Sequence, residues 1–368
     1  MKPQIFLSLV LFLFIYTSCN KESNKQSVKS TDQRFTVTSE SLSEARYNIA
    51  GAAFGNKVLF AGGVKTTYMV SNTVDIYDAA SDSWSTTHLS QGRAVPTAAS
   101  IGGKIVFAGG LLDGAEGFTD IVDIYDVASN SWTTAKLSLA RSGMGAAATA
   151  NKIVFAGGDI AYTMSDIVDI YDVTSNVWST AKLSQPKMGM AAAAAGNKIL
   201  IAGGASIDPR ITASVDIYDA SNNSWTTAQL SEARYNLAGA AVGTKVVFAG
   251  GTISASGTQE SKTVDIYDVT TNSWTTAQLS EARQALKAVS AGNKIFFIGG
   301  YVYSNNQLTQ SKTIDIYDVE TNKWSTAQLD KTNDAFGIAS TGNKILIAGG
   351  FEANGVFSKA VEILNVSN

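Results

Sequence analysis

The 368-residue sequence is poor in the residues that build metal and disulfide sites. One cysteine and one histidine exclude a disulfide framework, a cysteine-cluster metal site and any site that needs two histidines. Only 16% of the residues are charged, and Lys+Arg 28 against Asp+Glu 31 gives a formal net charge of −3. This balance lacks the basic footprint of a nucleic-acid-binding protein. We therefore expect no metal, no cofactor and no nucleic-acid partner.

The N-terminus has the pattern of a secretion signal. Lys2 precedes an apolar run over residues 5–16, which suits a signal-peptide core and is too short to span a bilayer. Small residues then precede Cys19, the only cysteine. This arrangement resembles the lipobox of bacterial lipoproteins, which implies a lipidated Cys19 as the mature N-terminus, although Tyr16 departs from the usual aliphatic residue. An ordinary signal peptide is the alternative.

Three segments follow from this reading. Residues 1–18 are the predicted signal peptide, 19–34 the lipidated cysteine with a flexible polar tether, and 35–368 a folded domain. Fifteen tether residues span roughly 50 Å when fully extended. Asn20, with no aspartate at that position, resembles outer-membrane sorting. The expected location is therefore the bacterial envelope, with the domain anchored through lipid at the outer membrane.

From residue 35 onward the sequence repeats one unit seven times. A Gly-Gly pair recurs every 46 to 50 residues, followed by a VDIYD-like segment and then a tryptophan. The pairs begin at Gly62, Gly109, Gly157, Gly203, Gly250, Gly299 and Gly349. The six tryptophans are Trp84, Trp132, Trp178, Trp225, Trp274 and Trp324. Nine residues after each tryptophan a cation opens the next unit, except after Trp324, where Asn333 stands.

Each unit predicts four short strands. They are an Ala-rich segment, a β-branched run ending at the Gly pair, the alternating VDIYD segment and a segment that starts at the tryptophan. Four strands at this period indicate a β-propeller. The Gly-Gly, Tyr and Trp spacing resembles the kelch repeat over residues 35–368. The sequence therefore predicts an all-β, seven-bladed kelch-type propeller with four antiparallel strands per blade.

The phase of the repeat also predicts how the ring closes. The seventh unit ends after its third strand, at Asn365, and has no tryptophan. Residues 42–46 (LSEAR) match residues 230–234 of the fifth unit, which places Val37 in the tryptophan position. We expect residues 35–39 to supply the outer strand of the last blade.

Residues that recur in every unit are best explained by the blade itself. In each VDIYD segment the last aspartate is expected to cap a turn and the first to lie at a strand edge. The cations that open the units are Arg46, Arg93, Arg141, Lys187, Arg234 and Arg283. A structural hydrogen-bonding role is favoured for them. The alternative is a ring of positive charge at the channel mouth that recognises an acidic ligand.

Function is expected where the repeats differ, on the face that carries the loops joining units and the loops between second and third strands. The candidate ligand-binding residues beside the cations are Tyr47, Asn48, Met144, Met188, Tyr235, Asn236 and Phe336. The longer loops add Tyr68, Asp113, Glu116, Asp159, Tyr162, Asp208, Arg210, Glu260, Tyr301, Tyr303, Asn305, Phe351 and Glu352. Such mixed aromatic, amide and charged side chains suit sugar or peptide recognition.

No catalytic constellation is predicted. His88 occupies a slot that other units fill with Lys or Gln, so it is expected to be an exposed outer-strand residue and not part of a Ser/His/Asp triad. The kelch-type copper-radical oxidases imply a Tyr–Cys crosslink and histidine ligands, which one histidine and Cys19 do not supply. The Asp boxes of sialidases are absent.

The preferred interpretation is a non-catalytic, monomeric binding module that presents its variable face to a protein or glycan partner. Bacterial sialic-acid mutarotases are also kelch propellers, and the resemblance implies an alternative in which an arginine-lined mouth binds an acidic sugar. A third reading is a structural subunit of an envelope complex, for which an apolar patch around Met188, Met190 and Phe336 would be the hint.

Overall fold

The computed structural model describes residues 35–367, except 115–116, 162, 209 and 353–354, and the side chain of residue 333. The predicted signal peptide and tether, with Cys19, lie outside the described residues, as do Glu116 and Tyr162. The described residues form an all-β fold without an α-helix. No helix in these ranges is long and apolar enough to cross a membrane.

Seven four-stranded antiparallel sheets build the ring, and each is one blade. In blades one to three the strands, from the channel outward, are Ala50–Phe54, Lys57–Ala61, Thr73–Asp78 and Ser83–His88; Thr97–Ile101, Lys104–Ala108, Ile121–Asp126 and Ser131–Lys136; and Gly145–Thr149, Lys152–Ala156, Ile167–Asp172 and Val177–Lys182. In blades four and five they are Ala191–Ala195, Lys198–Ala202, Ser214–Asp219 and Ser224–Gln229; and Ala238–Val242, Lys245–Ala249, Thr263–Asp268 and Ser273–Gln278.

Blade six has the same order, and blade seven takes its outer strand from the N-terminal end of the described chain. The strands of these two blades are Lys287–Ala291, Lys294–Ile298, Thr313–Asp318 and Lys323–Gln328; and Gly337–Thr341, Lys344–Ala348, Ala360–Val366 and Phe35–Ser41. Four small ribbons lie in the loops, namely Arg46–Tyr47 with Val64–Lys65, Lys187–Met188 with Ala205–Ser206, Tyr301–Ser304 with Gln307–Gln310, and Asn333–Asp334 with Phe351–Glu352.

The ring closes as the repeat phase predicts. Phe35–Ser41 pairs antiparallel with Ala360–Val366, from Phe35 opposite Val366 to Ser41 opposite Ala360. Val37 lies opposite Leu364, as Trp84 lies opposite Tyr77 in blade one. The prediction that the N-terminal strand completes the last blade is therefore confirmed, and the strand extends two residues beyond the expected 35–39.

The hydrophobic core lies between blades, because both faces of the two middle strands are covered by neighbours. The second strands are almost fully buried, as in Val58, Leu59 and Phe60, each at 0% exposure. In blades one to six a tyrosine packs against its own tryptophan at the blade interface, with ring centroids 4.8–5.2 Å apart. Burial of side chains this large stabilises the ring by roughly 2–3 kcal/mol each.

The Gly pairs let adjacent blades approach closely where the second strand ends. Gly62 has φ 69° and Gly63 has φ 97°, a conformation that favours glycine. A Cβ atom on Gly62 would lie 2.5 Å from the carbonyl oxygen of Arg93 in the next blade. Any other residue would therefore separate the two blades.

The ring has two unlike faces. One carries tight turns between first and second strands, and we call the other the variable face, because it carries the loops that join units and the loops after the Gly pairs. The first strands line the central channel mainly with alanine methyl groups. The outer strand of each blade runs toward the variable face, so Phe35 enters the ring at the opposite face.

Candidate functional site

The six predicted cations lie inside the blades. Each is at 0% exposure and forms an ion pair with the first aspartate of the VDIYD segment in its own unit. The pairs are Arg46–Asp75, Arg93–Asp123, Arg141–Asp169, Lys187–Asp216, Arg234–Asp265 and Arg283–Asp315. These aspartates are almost fully buried, so the expectation that they lie at a strand edge is wrong.

Each cation also ties strands and loops together through backbone carbonyls. Arg283 donates to the carbonyl oxygens of Gly299 and Thr313, both at 2.7 Å. The second carboxylate oxygen of its partner, Asp315, accepts a hydrogen bond of 2.9 Å from the amide of Ser280. The last aspartates of the segments do cap turns, as Asp78 shows by accepting from the amide of Ala80 at 2.9 Å.

Burial and pairing act on these cations in opposite directions. Loss of solvent lowers the pKa of Arg141, whereas the charge of Asp169 and its hydrogen bond raise it. The guanidinium and carboxylate lie 2.7 Å apart, and both side chains are almost fully buried. A ligand at the variable face cannot reach these groups. The structure thus gives them the hydrogen-bonding role, and not that of a positively charged ring at the channel mouth.

The channel mouth on the variable face is built from backbone. The residue two positions after each unit-opening position adopts a left-handed conformation with φ between 50° and 62°. These seven residues are Asn48, Val95, Gly143, Gly189, Asn236, Ala285 and Ala335. Backbone amides in this ring donate to carbonyl oxygens of the preceding blade. The amide of Asn48 donates to the carbonyl oxygen of Ala335 at 2.8 Å, and the amide of Val95 donates to that of Asn48 at 3.0 Å. Asn236 and Ala285 make the same bonds, to Gly189 at 2.8 Å and to Asn236 at 2.9 Å.

A cavity of about 300 Å³ opens at this mouth, lined by residues of blades one, two, three, six and seven. Asn48, Gly143, Ala335 and the first residue of blade six, Lys287, help to line it. Lys287 is the only charged residue on the seven first strands and is exposed to the channel. The mouth therefore combines one cation with amide and backbone polar groups.

Lys287 was not among the residues that the sequence indicated. It occupies a position at which other blades carry alanine, threonine or glycine, so the signal was a break in an otherwise small and uncharged pattern. Asp334 nearby accepts a hydrogen bond from the hydroxyl of Tyr301. That carboxylate raises the pKa of the Tyr301 phenol, after the larger effect of burial.

The predicted apolar candidates are mostly buried. Met144 is 7% exposed and Phe336 is 3% exposed, and both pack between blades beneath the channel mouth, where they border the cavity. Met190 is also buried, at 8%. Met188 is half-buried in a small ribbon opposite Ala205. The apolar patch that would have indicated an envelope-complex subunit is therefore mostly core.

An aromatic patch does lie on the variable face, at the junction of blades seven and one. It comprises Tyr47, Tyr68, Phe351 and Phe357, with ring centroids 4.8–5.4 Å apart. Tyr68 is 74% exposed and rests edge-on against Phe357. Its φ of 60° is unusual for a bulky residue and costs on the order of 1–2 kcal/mol. Met69 and Val356, the chain neighbours of Tyr68 and Phe357, are also exposed.

Two further candidates lie at the rim of the mouth. Tyr235 is half-buried, and its amide pairs with the carbonyl of Thr252 at 3.1 Å. Asn236, also half-buried, belongs to the left-handed ring. Among the loop candidates, Asp113 accepts a hydrogen bond of 2.8 Å from the amide of Val70, which ties a blade-two loop to a blade-one loop. His88 ends the outer strand of blade one and is exposed, as predicted.

Within the described ranges, no group of three His, Cys, Asp or Glu side chains is placed to hold a metal ion. The fold and its buried ion pairs define a seven-bladed β-propeller with four antiparallel strands per blade. The model of the KLHDC2/KLHL20/DRC7 Kelch-repeats domain matches residues 95–281 and 143–350. The chain therefore belongs to the kelch-repeat family, whose propellers generally mediate protein interactions. No curated protein matches the sequence.

Proposed function

We propose that the chain is a non-catalytic binding module that holds a protein partner at the variable face, across the channel mouth and the aromatic patch. This proposal rests on the contrast between the buried cations that recur in the units and the solvent-exposed residues of the variable face. The periodic cations are locked in ion pairs, whereas Lys287, Asn48 and Tyr68 contact solvent on one face. An exposed tyrosine such as Tyr68 is typical of binding hot spots.

The proposal includes the cellular address that the sequence predicts. Lipidation at Cys19 would anchor the protein in the bacterial envelope, with the outer membrane as the expected site. Because Phe35 enters the ring at the opposite face, a tether there leaves the variable face directed toward a partner and away from the membrane. The binding form proposed is a monomer.

A glycan is the alternative ligand for the same face, since sugar rings stack on exposed aromatic side chains and bind amide groups. The mutarotase alternative loses the observation that favoured it. An arginine-lined mouth would have supplied the acidic-sugar site, and the five arginines concerned are buried in ion pairs.

Quantitative capture from envelope extract tests the proposal with matched variants of the full chain. The mouth variant carries Tyr68→Ser and Lys287→Ala, and the control carries Val177→Ser and Lys136→Ala, which alter an exposed apolar residue and an exposed lysine away from the mouth. We expect parent and control to enrich the same partner and the mouth variant to lose at least tenfold. Undiminished capture by the mouth variant would refute the assignment of this face.

A further inference from the structure

The interface between blades six and seven differs from the other six interfaces. In blades one to six, a tyrosine and a tryptophan project toward the preceding blade, as Tyr125 and Trp132 of blade two pack on blade one. In blade seven the corresponding residues are Leu364 and Val37, which pack on blade six. Phe35 is buried in the same interface but stands at the position of the turn residue two places before the tryptophan.

A groove of about 430 Å³, which we call the rim groove, opens at the outer rim beside this interface. Its walls from blade six include Lys294, Phe296, Ile316 and Asp318, and Val366 contributes from blade seven. The groove is continuous with the hydrophobic interface between these blades, because Phe296 and Ile316 also belong to that core cluster. An occupant would thus extend an interface that already exists.

Two of the other interfaces place a lysine against a tyrosine of the next blade, whereas in four blades the corresponding lysine pairs with the last aspartate of its own VDIYD segment. Lys344 of blade seven lies 5.2 Å from the ring centroid of Tyr77 in blade one and donates to its hydroxyl oxygen at 2.7 Å. Lys198 of blade four lies 5.7 Å from the ring of Tyr267 in blade five and donates to that hydroxyl at 3.2 Å. Both lysines open the second strand of their blades. The cation and the ring face attract each other, which adds to the burial of the ring.

Lys294 is the corresponding lysine of blade six, and the next blade carries Leu364 at the position of the tyrosine. Its ammonium lies 3.9 Å from the carboxylate of Asp318 and donates to the side-chain oxygen of Asn293 at 3.3 Å. The lysine is only partly exposed and borders the apolar floor formed by Phe296 and Ile316. Charge complementarity therefore specifies an electron-rich aromatic ring with a hydrogen-bond acceptor at its edge.

We propose that the rim groove binds a tyrosine side chain presented by a partner polypeptide, in the position that a blade's own tyrosine fills at the other interfaces. The Lys294 ammonium lies over the ring and donates to the phenol oxygen, and Phe296 and Ile316 cover its apolar face. The site lies on the outer rim, so it is separate from the variable face and independent of the function proposed there.

A peptide taken from the protein's own sequence serves as the probe. A fluorescein-labelled peptide with the sequence of Asp265–Trp274 (DIYDVTTNSW) contains a blade's tyrosine, its turn and its tryptophan. The control peptide replaces the tyrosine by leucine and the tryptophan by valine, which are the residues of blade seven. We expect saturable anisotropy with the full chain and the first peptide, and at least tenfold weaker binding of the control peptide.

Two variants locate the binding. Leu364→Tyr fills the groove and Lys294→Met removes the cation, so each is expected to weaken peptide binding at least tenfold. Lys245→Met is the matched control, because this lysine opens the second strand of blade five, and the interface of blades five and six already contains Tyr317 and Trp324. Thermal unfolding of every variant identifies one that fails to fold, and Lys294→Met keeps the test valid if Leu364→Tyr does.

Three results would overturn the proposal. They are equal binding of both peptides, binding unaffected by Lys294→Met, and no binding of either peptide. If neither peptide binds but the chain forms a concentration-dependent dimer, and Leu364→Tyr abolishes that dimer, then the occupant of the groove is a second copy of this chain and not a partner polypeptide.

Discussion

At the scale of the residue, the paired cations show how this protein places charge in a core that is otherwise apolar. Each guanidinium or ammonium gains a carboxylate and backbone carbonyls in exchange for its water, which is the condition for a buried charge to be tolerated. The cost of removing one partner is then much larger than the net stability that the pair contributes. The two kinds of ion pair in the molecule allow this to be measured.

Asp169→Asn is expected to lower the free energy of unfolding by about 3–5 kcal/mol, because it leaves the charge of Arg141 buried without its counter-charge. Asp120→Asn is the control, since Asp120 pairs with the exposed Lys136 at 3.1 Å, and its expected cost is under about 1 kcal/mol. Urea unfolding of both variants checks the difference. Equal losses would show that burial does not govern these pairs.

Glu362 presents the opposite case. It occupies the buried aspartate position in blade seven, where the sequence places Asn333 instead of a cation. Burial raises the pKa of Glu362, the nearby charge of Asp330 raises it further, and Lys331 lowers it. Glu352 and Glu362 line the same small cavity, so a second carboxylate lies in the neighbourhood of Glu362. The folded state therefore holds the Glu362 proton more tightly than the unfolded state does.

The sign of the pH dependence follows from that shift. The stabilising contribution is fully present below the ordinary glutamate pKa of 4.5 and is lost as the pH rises through the folded-state pKa. Glu362→Gln should therefore be more stable than the parent at pH 7.5, by on the order of 1 kcal/mol, and the advantage should vanish at pH 4. Melting temperatures at both pH values check this, and a variant less stable at pH 7.5 would contradict it.

At the scale of the element, the outer strand Phe35–Ser41 determines whether the ring is closed. It supplies seven register pairs to Ala360–Val366 and two buried side chains, Phe35 and Val37, to the last interface. The first and the last described strands pair in this one blade, so hydrogen bonds and side-chain packing join the ring there. The interface of blades six and seven is also the one without the tyrosine–tryptophan pair. Phe35 and Val37 of this strand supply apolar packing there instead.

Deletion of residues 35–42 is expected to lower the melting temperature of the whole ring and not merely to fray one blade, because blade seven loses its outer strand and its packing on blade six. Deletion of residues 24–31, in the predicted tether, is the length-matched control and should leave the melting temperature unchanged. Differential scanning calorimetry checks both. An unchanged transition after the first deletion would contradict closure by this strand.

At the scale of the whole molecule, the repeat period alone predicts the ring, the blade count and the closing strand, since seven copies of one pattern permit few architectures. The pairing of each cation with an aspartate was not predicted. Alternation puts Asp75 on the same side of its strand as Tyr77, but its partner comes from the loop that opens the unit. The role of Lys287 was missed because the first strands of distant units converge only in the folded ring.

The predicted anchor is tested on the whole chain in its envelope. Cys19→Ser should abolish incorporation of radiolabelled fatty acid and move the protein from the membrane fraction to the soluble fraction, because the lipid would be lost with the thiol. Ser18→Ala is a neighbouring control that keeps a small residue before the cysteine. Fatty-acid labelling and fractionation of both variants check this. Membrane association that persists in Cys19→Ser would exclude a lipid anchor at this residue.

The central claim is that one face of the ring binds a partner, and site-specific photo-crosslinking in cells tests it most directly. A benzoylphenylalanine at position 68 on the variable face is compared with one at position 177, which is exposed where the outer strand of blade three begins, at the opposite face. The claim predicts a discrete crosslinked species from position 68 and none from position 177. Crosslinks of the same partner from position 177 alone would place binding on the opposite face and contradict it.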